Sequence, residues 1–318
     1  MKTNNPLVSI VAISYNHADW LKFSLDSIRT QTYSNIEVII IDSNSSDDSY
    51  LKILEYIESN GLNEWKVFRQ DKPISICQNL NFALSLIKGE YYQVVSCDDI
   101  ILPDKIKLQI DFLSSAEDDY GLIYGDYSHI DENGIRIADS TLVLKSKGFS
   151  NTKRPPSGMI FCQILGTWYI HTITCLIRTN AARQIGGYDE NLTYEDTDFI
   201  LRLSRSFKFA AMLDEVAFYR ILPSSFFRSR SVDFYLSTCK LYLKHFDSES
   251  CSEKVKRLFN HYFNTLFIKD QEMALTFFND INNNYFDIYV SLYIVIYKWS
   301  GSKFLSIKVK EILSKFLK

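Results

Sequence analysis

Glycine is scarce in this chain, 11 residues in 318, and the scarcity excludes two common ways of holding a phosphate. Neither the G-x-G-x-x-G turn nor the lysine-bearing phosphate loop occurs anywhere in the sequence, and without such glycines a backbone cannot approach a pyrophosphate closely. Paired cysteine spacings are missing too: Cys77, Cys97, Cys162, Cys175, Cys239 and Cys251 are scattered, several inside apolar runs. That suits buried thiols in a reducing compartment better than a disulfide framework. A basic excess is absent, the net charge being −3, so nothing suggests a nucleic-acid partner. No repeat, low-complexity segment or export signal stands out, and the apolar stretch of MKTNNPLVSIVAISYN is explained better by a strand. With 46% hydrophobic residues, there is ample material for a core.

What is present is one strand design used repeatedly. Leu7 to Ser14 is an unbroken apolar run ending in Ser14, Tyr15 and Asn16, and Ile36 to Ile41 ends in Asp42 followed by a Ser/Asp cluster. Tyr91 to Ser96 runs into Cys97, Asp98 and Asp99. Runs that are apolar on both faces read as buried parallel strands. Between the first two, Leu21, Leu25 and Ile28 have the spacing of a crossover helix over Trp20 to Thr30, which makes a βαβ unit. Further helices are predicted over Tyr50 to Ser59, closed by Gly61, and over Ile76 to Lys88, with a strand at Trp65 to Arg69 between them. In an open parallel sheet, ligands bind beyond the carboxyl ends of the strands. Ser14, Tyr15, Asn16, Asp42, Asp71, Lys72, Asp98 and Asp99 should therefore converge on one crevice.

Two acidic segments carry the chemistry. Adjacent carboxylates at a strand end repel one another, so burying Asp98 and Asp99 requires a divalent cation or a raised pKa, and oxygen ligands suit Mg²⁺ or Mn²⁺. The same acids also fit a helix cap ahead of Pro103, and the residues alone leave both readings open. The second segment, GGYDENLTYEDTDFILRL, joins a glycine turn to an acid-rich loop and an amphipathic helix starting near Glu195. Glu195 and Asp196 at a helix N-terminus suit capping as well as catalysis.

Four segments together resemble the family 2 glycosyltransferases. They are VSIVAISYNHADWLKFSLDSIRTQTYSNIEVIIIDSNSSDDS, RQDKPISICQNLNFALSLIKGEYYQVVSCDDIILPDK, the Gly186 to Leu203 segment and the Tyr-Arg of Phe218 to Arg220, spanning residues 7 to 222. The resemblance implies a GT-A fold, that is, an α/β architecture with a Rossmann-like, mostly parallel central sheet flanked by helices. It implies a nucleotide-sugar-dependent catalytic domain over residues 1–222, and beyond it the loss of strand alternation reads as a helical C-terminal appendage over 223–318. It places Ser14, Tyr15, Asn16 and Asp42 on the nucleoside, with Asp71 and Lys72 beside it. On the same resemblance Asp98 and Asp99 would hold a Mn²⁺ or Mg²⁺ ion, Asp98 would adjoin the donor, and Asp196 would be the base that deprotonates the acceptor; Cys97, next to the metal motif, is a candidate donor contact, with apolar packing the more common role for such a residue. Asp198, about 160° further round the helix, is the weaker candidate. Glu195, His171 and Arg220 are candidate contacts for acceptor or diphosphate, although a structural histidine is the more common fate of a residue like His171. His17, His129, His245 and His261 show no metal-ligand spacing.

The chain departs from the family pattern twice. Ser96 stands where relatives carry the first acid of the metal motif, and Ile221, Leu222 and Pro223 follow Tyr219-Arg220 where relatives often have a histidine. Arg220, Arg228 or Arg230 would then have to replace that contact. The tail is aromatic and basic: Tyr285 to Trp299 is too short to span a bilayer and contains Asp287. Lys303 to Lys318 has five lysines and one glutamate among apolar residues, as an interfacial helix or a dimer-packing helix would.

The expected activity is inverting transfer of a hexose or N-acetylhexosamine from a nucleotide sugar, most simply a UDP-sugar, to a glycan hydroxyl. The resemblance implies a polyprenyl-diphosphate-linked acceptor in bacterial surface polysaccharide (O-antigen or capsule) assembly, with the protein cytoplasmic, as a peripheral membrane protein on the inner face of the membrane. One rival is a nucleotidyltransferase, which lacks the basic glycine-rich loop it would need. The other is a catalytically weak nucleotide-sugar-binding or scaffold protein.

Overall fold

The computed structural model describes residues 5–137, 142–167, 170–222, 231–247 and 250–281. Arg228, Arg230, the Tyr285 to Trp299 segment and the Lys303 to Lys318 stretch lie outside them. Two compact units are present, one of Met1–Glu190 with Tyr194–Ser225 and one of Asn191–Thr193 with Phe226–Lys318.

The first unit is built on the predicted alternation. Strand β1 (Val8–Ser14) is buried along its whole length, as a strand covered on both faces must be. Helix α1 (Leu21–Arg29) buries Leu21, Leu25 and Ile28, the spaced apolar positions, and each such side chain contributes about 1.5–3 kcal/mol by leaving water. Strand β2 (Ile36–Asp42) follows, then α2 (Ser49–Asn60). Gly61 ends α2 with φ 66°, a left-handed cap that glycine adopts without a Cβ penalty. After β3 (Lys66–Arg69), a reciprocal Ser75–Gln78 capping box opens α3 (Ile76–Leu86), which leads to β4 (Tyr91–Ser96).

Beyond β4 the structure is less regular than the sequence suggests. The acid pair does not run straight into a helix: a two-residue strand β5 (Ile100–Ile101) intervenes, and α4 begins only at Lys105 (Lys105–Ser115). Strand β6 (Tyr120–Ile130) is followed by the short helices α5 (Val143–Ser146) and α6 (Phe161–Ile164). Then come a 3-10 turn at Thr172–Thr174, β7 (Cys175–Arg178), α7 (Thr179–Gln184), α8 (Asp196–Ser206) and β8 (Lys208–Arg220). The sheet order is β3-β2-β1-β4-β7-β6-β8-β5. β3, β2, β1 and β4 are mutually parallel. β7 runs antiparallel between β4 and β6, β8 is parallel to β6, and β5 closes the edge antiparallel to β8. Register shifts around Asp126 interrupt the β6–β8 pairing.

In the second unit, α9 (Val232–Leu243), α10 (Ser252–Lys269) and α11 (Gln271–Asp280) pack around Val255, Phe259, Phe263, Leu266 and Phe267, all fully buried. Ser231 caps α9 through Phe234 N–H, and Asp270 caps α11 through Met273 N–H. No described helix is long and apolar enough to cross a membrane.

Candidate active site

The ends of β1 and β2 are sewn together by side chains. Asp42, fully buried, accepts hydrogen bonds from the Ser45 backbone N–H (3.0 Å) and hydroxyl (2.5 Å). Ser45 in turn accepts from Asn16 N–H at 3.0 Å, and the Asn16 amide oxygen accepts from Ser46 N–H at 2.8 Å. Asn16 (φ 56°) and Asn44 (φ 58°) occupy the left-handed region, which asparagine tolerates better than most residues. This ties two loops into one wall with Tyr15 left 51% exposed on it. The Ser14 hydroxyl is buried without a hydrogen-bond partner among the described residues. Asp71 and Lys72, expected beside the nucleoside, are exposed after β3.

Asp98 and Asp99 part company. Asp99 is 2% exposed and its carboxylate accepts the Arg220 backbone N–H at 2.8 Å. Burial, and then the charge of Asp98, push its pKa well above the usual carboxylate range. Asp98 stays 19% exposed, with the His17 imidazole Nε2 at 3.9 Å from its Oδ2. The Arg220 guanidinium, a candidate diphosphate contact, donates to backbone carbonyls through Nε to Asp98 O (2.7 Å) and through Nη1 to Asp131 O (2.7 Å) and Glu132 O (3.1 Å), while its Nη2 is buried without a hydrogen-bond partner among the described residues. It therefore holds the acidic turn against the 131–134 turn. Cys97 is fully buried beneath it, and its backbone N–H donates to Ile13 O.

The donor set fits a hard divalent cation in part. Asp98 offers one accessible carboxylate, and Mg²⁺-like ions are commonly held by one or two carboxylates together with substrate phosphates. Among the described residues no group of three His, Cys, Asp or Glu side chains comes together, so any such cation would depend on the nucleotide for the rest of its shell.

Helix α8 starts at Asp196. Asp196 Oδ1 accepts its neighbour's Thr197 N–H at 2.6 Å, and a small cleft of about 20 Å³ beside it is lined by Ile164, Thr167, Ile170 and Ile200. Asp198 is buried and paired with Arg202 Nε at 2.7 Å, which removes it as a competing base. Arg202 also donates to Ile185 O and Gly187 O, fixing the glycine turn that precedes the acidic loop. At Gly187 (φ +69°) a Cβ would come within 2.6 Å of Asn81 Oδ1, so the turn requires glycine. Burial, and then the charge of Asp196, raise the pKa of Glu195.

His171 links the two acidic sides. Its ring lies 4.3 Å from that of Tyr219 and 5.8 Å from that of Tyr127, measured between centroids. Burial lowers its pKa, while the charges of Asp196 and Asp98 both act to raise it, so the imidazole is within electrostatic reach of both acids. The 3-10 turn behind it is fixed from below. Fully buried Lys105 donates to Gln93, Gln109 (2.7 Å) and Cys175 O (3.2 Å), while Gln93 and Gln109 donate to Ile173 O and Thr174 O. Burial lowers the Lys105 pKa to about 7.

Sequence reasoning set His17 aside, used Tyr219 only as part of the Tyr-Arg segment, and did not single out Lys105 or Tyr127. Only His17 had a local signal, its place in the turn after β1; the others depend on long-range packing. The buried-thiol expectation holds for Cys77, Cys97, Cys175 and Cys239, but not for Cys162 and Cys251, which are disulfide-bonded although no paired spacing in the sequence announces it.

The sheet sets acidic residues at the ends of β2 and β4 and at the start of α8, and comparison with known proteins assigns the family. The glycosyl transferase family 2 model matches residues 9–186, and the chain belongs to that family. An uncharacterized glycosyltransferase of Rickettsia typhi is 31% identical over 193 residues, covering 60% of this chain and 56% of that protein. UDP-Glc:alpha-D-GlcNAc-diphosphoundecaprenol beta-1,3-glucosyltransferase WfgD of Escherichia coli is 30% identical over 129 residues, covering 41% of this chain and 49% of that protein. The chain thus spans about half the length of these relatives. Among solved structures, Staphylococcus aureus TarS 1-349 with UDP-GlcNAc superposes with TM-score 0.61 at 17% identity, covering 82% of this chain and 72% of that one. The mannosyltransferase PcManGT of Pyrobaculum calidifontis, in complex with GDP-Man and Mn²⁺, gives 0.57 at 17% identity, covering 86% and 73%. The fold is GT-A, as expected from the sequence.

Proposed function

We propose that the chain is an inverting, divalent-cation-dependent glycosyltransferase that moves a hexose or N-acetylhexosamine from a UDP-sugar to a hydroxyl of a polyprenyl-diphosphate-linked glycan. The observation that carries this reading is that Asp98 and Asp196 both lie within electrostatic reach of the His171 ring, which packs 4.3 Å from Tyr219. Asp98 faces the β1 end of the crevice, Asp196 opens α8, and His171 feels the charge of both. Displacement at an anomeric carbon needs a base on the acceptor side and charge neutralisation of the departing diphosphate on the other. Asp196 takes the acceptor proton. Its neighbour Glu195, with a raised pKa, holds its own proton, which keeps a second negative charge away from Asp196. The wall formed by Asn16, Asp42 and Ser45 orients the nucleoside, and Tyr15 lies across it. A bound Mn²⁺ or Mg²⁺ at Asp98 supplies positive charge for the diphosphate.

The lipid-linked acceptor and a setting in O-antigen or capsule assembly at the inner membrane face are supported by the likeness to WfgD, whose name specifies a diphosphoundecaprenol acceptor. The UDP donor is supported by the likeness to TarS bound to UDP-GlcNAc. The test is thermal stabilisation by UDP-, GDP- and dTDP-sugars, with Mn²⁺ or with EDTA, on wild type and Asp98→Asn. A ligand at a hundred times its Kd stabilises by about 2.7 kcal/mol. The expected result is a metal-dependent shift for UDP-sugars that Asp98→Asn loses. No metal-dependent shift with any donor would overturn the reading in favour of a scaffold.

A further inference from the structure

His17 stands out as an imidazole without a hydrogen bond among the described residues. Its Nδ1 is buried and unpartnered there, and Nε2 faces Asp98 Oδ2 across 3.9 Å, beyond hydrogen-bonding distance. Its position is nevertheless closely specified. The backbone N–H donates to Ser49 Oγ at 2.8 Å, and its carbonyl accepts from Trp20 and Leu21 N–H at 2.9 and 3.0 Å as α1 begins. The ring meets Trp20 edge-on at 6.3 Å. Trp20 Nε1 donates to Glu132 O, the carbonyl that also receives Arg220 Nη1, and Arg220 Nε binds Asp98 O. A closed circuit of contacts, His17–Trp20–Glu132–Arg220–Asp98, thus holds an imidazole and a carboxylate face to face at the ends of β1 and β4.

We infer that His17 is a second protein ligand, with Asp98, for the divalent cation of the donor complex. The assignment rests on the proposed donor site. With Asp99 turned inward, Asp98 is the accessible carboxylate of the pair, so a cation there lacks a second protein donor unless His17 provides it. Neighbouring ligands of an octahedral ion at ~2.1 Å stand about 3 Å apart. The 3.9 Å gap therefore closes with a movement of under ~1 Å, within the reach of a small side-chain adjustment. An imidazole in the shell shifts preference from Mg²⁺ toward Mn²⁺, Co²⁺ and Ni²⁺.

Pulsed electron paramagnetic resonance of Mn²⁺ bound with UDP tests this directly. Wild type labelled with ¹⁵N-histidine should show nitrogen coupling to Mn²⁺ that His17→Gln and His17→Ala both lose, and Mn²⁺ affinity in the presence of UDP should fall about tenfold in each variant. An oxygen-only shell in wild type, with unchanged affinity in His17→Gln, would overturn the assignment while leaving the donor site intact. Failure of wild type to bind Mn²⁺ with UDP at all would overturn the donor-site reading and this assignment with it.

Discussion

The two halves of the sheet are built differently. On the β1–β4 side, parallel strands end in short polar loops whose side chains bond one another within a stretch of thirty-odd residues, from Asn16 to Ser46. On the β6–β8 side, the strands are antiparallel or bulged, Lys105 is buried, His171 is half-buried, and buried Asp99, from the turn after β4, bonds the end of β8. The first half resembles a rigid cradle for a common ligand. The second gathers groups with displaced pKa values, which cluster at functional sites.

Exchanging residues on each side should break this contrast in different observables. The largest effect is expected at Asp196: Asp196→Asn should lower transfer about 10²–10⁴-fold while donor binding stays within a factor of two or so of wild type, measured as turnover against UDP-sugar titration. A comparable loss of donor binding would show that the two sides are not separable.

Next is Asp42→Ala, on the cradle side. Removing this buried acceptor strands the Ser45 N–H and loosens the tie to Asn16, a destabilisation of about 1–3 kcal/mol in urea unfolding with weakened UDP affinity. Unchanged stability and affinity would contradict the picture of a preformed wall.

Lys105 gives a pH-dependent test on the other side. Its folded pKa, about 7, lies below the ordinary lysine value of 10.5, so between these the unfolded chain binds a proton that the folded chain has released. Stability from this group is therefore least below pH 7 and rises toward pH 10.5, with a slope of up to about 1.4 kcal/mol per pH unit. Lys105→Met should remove that slope when urea midpoints of the two proteins are compared from pH 6.5 to 9. Parallel curves would contradict a neutralised buried lysine.

The smallest effect belongs to Gly61, remote from this contrast. Its φ of 66°, with open space where a Cβ would stand, predicts that Gly61→Ala costs about 1 kcal/mol of strain alone, with donor binding unaltered. A larger loss would mean that α2 is coupled to the cradle.

The same contrast explains what could be read in advance. β1, α1, β2 and the loops after them announce themselves because their apolar runs and caps are contiguous, so Ser14, Asn16, Asp42 and Asp98 are legible from pattern. Strands β6 and β8 are not, because bulges at Asp126 break the alternation and their pairing spans some ninety residues. Lys105 looks like an ordinary helix-start lysine until Gln93, Gln109 and the Cys175 carbonyl close around it. The Asp98–Asp99 pair is legible as a pair, yet its division into one inward and one outward carboxylate depends on the Arg220 backbone, 121 residues away. The resemblance pointed to Asp196 and helical phase turned Asp198 away from it, while the Asp198–Arg202 ion pair could be found only in the structure.

The central claim is that donor holding and proton removal belong to different acids. The direct test is to measure Mn²⁺-dependent UDP-sugar binding by calorimetry and turnover on the same preparations of wild type, Asp98→Asn and Asp196→Asn. The account predicts that Asp98→Asn loses metal-dependent binding and that Asp196→Asn binds normally but does not turn over. Full activity in Asp196→Asn, or metal-dependent binding unchanged in Asp98→Asn, would contradict it.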